Sequence, residues 1–256
     1  MASLLNIPWF VIAGVVVVAL LVAMIVVFAR QAGRARRSGD PSPVVKAALS
    51  IAAAWAALGL LGTMITLISN LTASAPVMTV PVAPYWPGLL PGVEIDSGPN
   101  ATVARGGFTS ADVAVEGVSG TARALWAAGQ ALWGLIPTMI AAAIAVACFQ
   151  LLAGRAFSRT VERVTLATAV IVAVGGFAAS VLTDISGNLA SAELFTVTGA
   201  AWEEIAGIDD PLRWWPDPTW TLELALWPLG AGLGLAALAA IFRYGSRLQR
   251  DTEGLV

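Results

Sequence analysis

The stretch LALWPLGAGLGLAALAAIFRYGSRLQRDTEGLV (Leu224–Val256) holds no charge from Leu224 to Phe242, then sets arginines at 243, 247 and 250. At 1.5 Å per helical residue, an uncharged run of this length reaches across roughly 30 Å of hydrocarbon. Basic residues directly after such a run hold its end at the bilayer surface. Four more runs of the same kind precede it, Trp9–Ala29, Ala47–Ile68, Ala124–Gly154 and Val164–Thr183. Only 12% of the 256 residues are charged and 58% are hydrophobic, whereas a soluble domain carries about 25% charge. Lipid offers the backbone no hydrogen-bond partner, and the runs are too long and too unalternating for barrel strands. The expectation is an all-α integral membrane protein with five transmembrane helices.

Positive charge sets the orientation. Arg30, Arg34, Arg36, Arg37 and Lys46 lie between the first and second runs, and Arg155, Arg159 and Arg163 between the third and fourth. Arg243, Arg247 and Arg250 follow the fifth. These are 11 of the 14 basic residues, and with only Asp40, Glu162, Asp251 and Glu253 beside them that side carries +7. The other side has Arg105, Arg123 and Arg213 against twelve acids, a net of −9. The basic side is therefore expected in the cytoplasm, with the N-terminus outside and the C-terminus inside. Trp9, Trp126, Trp202, Trp214, Trp215, Trp220 and Trp227 fall near the predicted outer ends and read as headgroup-level anchors. A cleaved signal peptide is the rival reading of the first run. No basic residue precedes that run and no clean small-x-small site follows it, so a retained helix is expected. Histidine is absent and Cys148 is the sole cysteine, which excludes an intrachain disulfide and a Cys/His zinc site.

Two outer segments are expected, at 69–123 and 184–223. The first opens on the proline-rich PVMTVPVAPYWPGLLPG, which suits neither a regular helix nor a central strand. Further on, Val113 and Val115 alternate with Asp112 and Glu116, and Gly106-Gly107 suits a tight turn. A small outer β-hairpin between the second and third helices is expected, and Ser119 or Thr121 as the cap of the third helix. The second segment carries Asp184, Glu193, Glu203, Glu204, Asp209, Asp210, Asp217 and Glu223. With no D-x-D-x-D-G spacing, it reads as a solvated acidic surface rather than a calcium loop; sensing of ions or cationic peptides is the sharper alternative.

Chemistry is sparse inside the runs. None holds Asp, Glu, Lys or Arg, the usual mark of a proton or ion path. Gln130 and Gln150 lie toward the two ends of the third helix, and Pro137 is expected to kink it. Gly59-x-x-Gly62, Gly175-Gly176 and the G-x-x-x-G spacing of Gly230 and Gly234 allow close helix approach. No serine has a histidine partner, and neither H-E-x-x-H nor a phosphate-cradling loop is present, so no enzyme and no cofactor are expected.

If the last helix continues past Phe242, Ile241, Tyr244 and Leu248 share one face and Arg243, Arg247 and Arg250 the opposite one, with Gly254 ending it. The loop LLAGRAFSRTVERV has its own Ser158 or Thr160 cap and similar basic spacing. GRAFSRTVERV before one helix, with FRYGSRLQRDTEGLV closing the chain, resembles the DUF 2975 family (domain of unknown function) of small bacterial multi-pass membrane proteins. The resemblance covers roughly the second through fifth helices. It implies a bacterial cytoplasmic (inner) membrane location and, because members are often encoded beside one, a small helix-turn-helix regulator as a partner.

The organisation expected is residues 1–46 as an N-terminal transmembrane helix plus basic cytoplasmic loop, and 47–256 as a four-helix membrane domain with a cytoplasmic tail 244–256. The functional expectation is a non-enzymatic regulatory or sensing membrane protein. Its cytoplasmic loop (Arg155, Ser158, Arg159, Arg163) and tail (Arg243, Arg247, Gln249, Arg250, Asp251, Glu253) bind a partner, while lipids surround it and nucleic acid is not bound directly. A transporter or channel subunit, associated with another membrane subunit, is the alternative.

Overall fold

In a computed structural model, the described residues are 42–89, 95–98, 100–101, 103–203, 208 and 210–253, with side chains described as far as 248. The first apolar run and the four arginines after it lie outside them. The elements are helix α1 (Ser42–Thr72), strands β1 (Val77–Tyr85) and β2 (Phe108–Ala114), helix α2 (Gly120–Leu152), helix α3 (Arg159–Val170), a π-helical turn (Ile171–Gly175), helix α4 (Gly176–Phe195), a short 3₁₀ turn (Pro211–Trp214) and helix α5 (Trp227–Glu253). Among the described residues, four helical stretches are long and apolar enough to cross a bilayer: Ser42–Thr72, Gly120–Leu152, Arg159–Phe195 and Trp227–Leu248. Their apolar side chains stand largely uncovered, as at Leu58 (63% exposed), Val174 (63%) and Leu233 (72%). Such surfaces are unfavourable in water and suited to lipid. The chain is a multi-pass membrane protein.

The fourth run extends further than expected. Its helical stretch covers 37 residues, Arg159 to Phe195, about 55 Å at 1.5 Å per residue, so Asp184 and Glu193 belong to a helix and not to an irregular segment. Ser186, Gly187, Asn188 and Ser191, which read as loop in sequence, are all buried there. α2 runs unbroken through Pro137.

The chain divides into two compact units, the first comprising Met1–Leu61, Leu135–Ala173 and Gly230–Val256. Its helices approach through small residues. A Cβ on Gly59 would lie 2.5 Å from the Thr138 hydroxyl, and one on Gly232 would lie 2.6 Å from the Ala173 Cβ and 2.8 Å from the Ala169 carbonyl. Gly230 and Gly234, the pair that reads as a packing motif, have open space beside them, as does Gly62. The tight seam of α5 is instead Gly232, Ala239 and Ser246, all buried and seven residues apart, the spacing that keeps one stripe on a neighbouring helix.

The second unit comprises Gly62–Gly134 and Val174–Leu229. β1 and β2 pair antiparallel, Val77 with Ala114 through Pro81 with Ser110, with an irregularity before Tyr85 meets Phe108. Among the described residues the sheet has two strands, so β1 lies at its edge, where Pro81 and Pro84 are tolerated. The expected tight turn at Gly106-Gly107 is not made, because β1 is the proline-rich stretch itself and the connection runs from Trp86 to Gly107. Gly106 does adopt a positive φ of 93°. Gly107 is required for another reason: a Cβ there would lie 2.5 Å from the Tyr85 carbonyl oxygen. Met78, Val80, Val115, Val118, Ala122, Trp126 and Ala190 form the core of this unit. Trp126, expected at the headgroup level, is only 7% exposed; its ring fills the space between sheet and helices.

Polar side chains tie the unit together. Ser119 caps α2, its hydroxyl accepting from the Ala122 N–H at 3.2 Å, and its own N–H donates to Glu193 at 2.8 Å. Arg123 donates to the carbonyls of Ala73 (2.7 Å), Leu71 and Ser74, satisfying groups left open where α1 ends. On α4, Ser186 donates to the Ala122 carbonyl and Ser191 to that of Pro81, each at 2.6 Å. Asn188 grips the main chain of Thr221 on both sides, donating to its carbonyl at 2.8 Å and accepting from its N–H at 3.0 Å. A Cβ on Gly187 would strike the Thr79 carbonyl at 2.7 Å, so a glycine is needed for the sheet to lie against the helix.

Candidate functional site

The loop and tail that the sequence marks out meet within the first unit. Gly154, with φ +72°, turns the chain after α2, and Ser158 caps α3 by accepting from the Val161 N–H at 3.4 Å. Phe157 then lies against α5. Its ring is 6.3 Å from that of Phe242, and a Cβ on Gly245 would fall 2.4 Å from Phe157 Cδ1. Beside this contact Arg243 Nε lies 3.8 Å from Glu162 Oε1, a partly exposed ion pair worth little in stability. The aromatic contact therefore holds loop to tail, and the charge pair fixes orientation.

Arg155, Arg159, Arg163, Arg243 and Arg247 are exposed on this surface, whereas Ser158 is occupied as a cap and half-buried. The Arg247 guanidinium lies 6.0 Å from the Tyr244 ring centroid, within the reach of a weak cation–π contact. The side chains of Gln249, Arg250, Asp251 and Glu253 lie outside the described residues. Ile241, Tyr244 and Leu248, expected to share an apolar face, are all more than 60% exposed. The face of α5 that packs is a third one, carrying Phe242, Gly245 and Ser246.

A second candidate lies in the second unit, where the sequence reads as a solvated acidic surface, with sensing of ions or cationic peptides as the alternative. A cavity of about 280 Å³ opens there among Thr79, Ser110, Trp126, Gln130, Trp133, Asp184 and Glu223, among others. Helix spacing places Trp126, Gln130 and Trp133 on one face of α2, at i, i+4 and i+7. Asp184 is brought to Glu223 by a hydrogen bond from the Glu223 N–H to Asp184 Oδ2 at 2.7 Å. Trp133 is steadied by stacking on Trp227, with centroids 5.8 Å apart.

Other carboxylates have structural work, Glu193 and Asp210 of the expected acidic surface among them. Asp112 accepts from the Thr79 hydroxyl at 2.6 Å, Glu193 from Ser119, and Asp210 caps the 3₁₀ turn by accepting from the Leu212 N–H at 2.9 Å. Gln130 and Pro137, both on α2, line different cavities, Pro137 an apolar groove with Trp55 and Ile144. Gln150 lines neither, and its buried Oε1 has no hydrogen-bond partner among the described residues. The i, i+4, i+7 spacing of Trp126, Gln130 and Trp133 was the available signal for the cavity. Its carboxylates, Asp184 and Glu223, come from more than fifty positions further along the chain and carry no local signature. Comparison with known protein families, with curated proteins and with solved structures finds no match to this chain.

Proposed function

We propose that this protein is a non-enzymatic regulatory membrane protein of the bacterial cytoplasmic membrane, whose loop 153–158 and tail form one cytoplasmic docking surface for a partner. The observation that carries the reading is the seating of Phe157 on Gly245 beside Phe242, with Glu162 facing Arg243. Two stretches far apart in sequence thus present their exposed arginines together. A patch of this kind suits an acidic partner, since clustered guanidinium groups steer and orient carboxylate-bearing surfaces. The DUF 2975 resemblance makes a helix-turn-helix regulator the first partner to try.

Charge supports the orientation. Among the described residues, the first unit has seven basic and three acidic residues, a net of +4, and the second has three basic and nine acidic, a net of −6. A division drawn from compactness alone thus sorts the charges by sign. In this reading the loop and tail that carry the basic residues face the cytoplasm, the N-terminus is outside, and the first apolar run is a fifth transmembrane helix. The test is affinity capture with the full chain and with a variant truncated after Tyr244. Loss of the partner from a truncated protein that still inserts in the membrane supports the docking surface, and equal recovery refutes it.

A transporter or channel subunit is the second reading, and the orphaned Gln150 amide oxygen within a membrane-spanning helix favours it. Solute flux into liposomes containing the purified protein is its test.

A further inference from the structure

The cavity of the second unit has an unbalanced lining. Asp184 and Glu223 both line it, and among the described residues no lysine or arginine does. Arg123 is turned to the end of α1. The Gln130 amide makes no hydrogen bond among the described residues, and the Thr79 and Ser110 hydroxyls stand at the sheet side. Two indoles, Trp126 and Trp133, complete the wall. Carboxylates held beside aromatic rings and left without a counter-ion attract a cation, and indole adds attraction through its negative face.

We infer that this cavity binds a small aliphatic amine in its protonated form, with Asp184 and Glu223 as counter-charges, Gln130 and the hydroxyls as hydrogen-bond acceptors, and Trp126 and Trp133 against the alkyl stem. The assignment deepens the sensing part of the reading above by naming what is sensed. The size fits: about 280 Å³ is at the small end of ligand pockets, which run roughly 300–1,000 Å³. A metal ion suits the lining less well. Calcium takes six to eight oxygen ligands, and the described residues hold no group of three or more His, Cys, Asp or Glu able to grip a metal. Indole walls supply nothing to a hard cation and much to an ammonium group.

The experiment is calorimetric titration of the full-length protein in detergent micelles with 1,4-diaminobutane, 1,4-butanediol and calcium chloride. Saturable diamine binding is expected, with the isosteric diol at least 100-fold weaker. Asp184→Asn, which keeps an acceptor for the Glu223 N–H, and Glu223→Gln are each expected to weaken the diamine at least tenfold. Asp217→Asn, outside the cavity, is expected to leave its affinity unchanged. Absence of diamine binding, diol binding as tight as diamine, unchanged affinity in the Asp184→Asn/Glu223→Gln double variant, or calcium binding that diamine does not displace would each overturn the assignment. The diamine–diol comparison uses the unaltered chain, so it stands even if a variant fails to fold. Partner capture by loop and tail is read separately, so failure of one proposal is not confused with failure of the other.

Discussion

Gly232 and Gly245 make opposite uses of a missing side chain. At Gly232 the atoms in the way are the Ala173 Cβ and the Ala169 carbonyl, 2.6 and 2.8 Å from an added Cβ, and neither can rotate aside. Gly232→Val is therefore expected to destabilise the protein by about 1–3 kcal/mol through overpacking, read as a lower unfolding temperature in micelles. Gly230→Ala and Gly234→Ala, with open space beside them, should leave that temperature unchanged. At Gly245 the obstacle is the end of the Phe157 ring, which can swing away. Gly245→Leu is expected to preserve the fold yet separate loop from tail, so that partner recovery falls while membrane insertion and unfolding temperature hold. The motif of Gly230 and Gly234 was visible in sequence, but which glycine of GAGLG packs depends on the phase of the helix against its neighbour. Composition carries no record of that phase.

At the level of elements, the apolar runs were legible because lipid imposes one rule on every spanning segment. Their ends were less so. Hydropathy stops at Thr183, whereas the helix continues through Ser186, Gly187, Asn188 and Ser191, a row that is buried because the carbonyls of Ala122, Pro81 and Thr221 supply partners for its polar side chains. Asn188→Ala is expected to cost about 1–3 kcal/mol, since it leaves the N–H and carbonyl of the half-buried Thr221 unpaired. Faster hydrogen exchange at the Thr221 amide would report it. β2 was half legible from the alternation around Val113, and β1 was hidden by its prolines, which local propensity places outside a sheet. Loop and tail were both recognisable from their arginine spacing. Their meeting was not, since it depends on Phe157, an apolar residue with no distinguishing pattern around it.

For the whole molecule, the proposed orientation makes a direct prediction. A fluorescent reporter that matures only in the cytoplasm, fused at Val256, should be bright, and an alkaline phosphatase fused there should be inactive. Exchanging Arg155, Arg159 and Arg163 for glutamate removes three basic residues from the +4 unit and should lower the bright fraction. The membrane class and the four spans among the described residues were legible in the apolar runs, whereas the amine-sized cavity needs helix, sheet and extended chain to converge. The sheet itself has a further effect. The side of β1 away from β2 is occupied: the Ala83 N–H donates to the Asp217 carbonyl, Val82 bridges Pro218, and the Pro81 carbonyl receives Ser191. With Pro81 also lacking an N–H group, that border has little left to offer a foreign strand. Crowded copies in one membrane can therefore lie side by side without zipping into a fibrillar ladder along it.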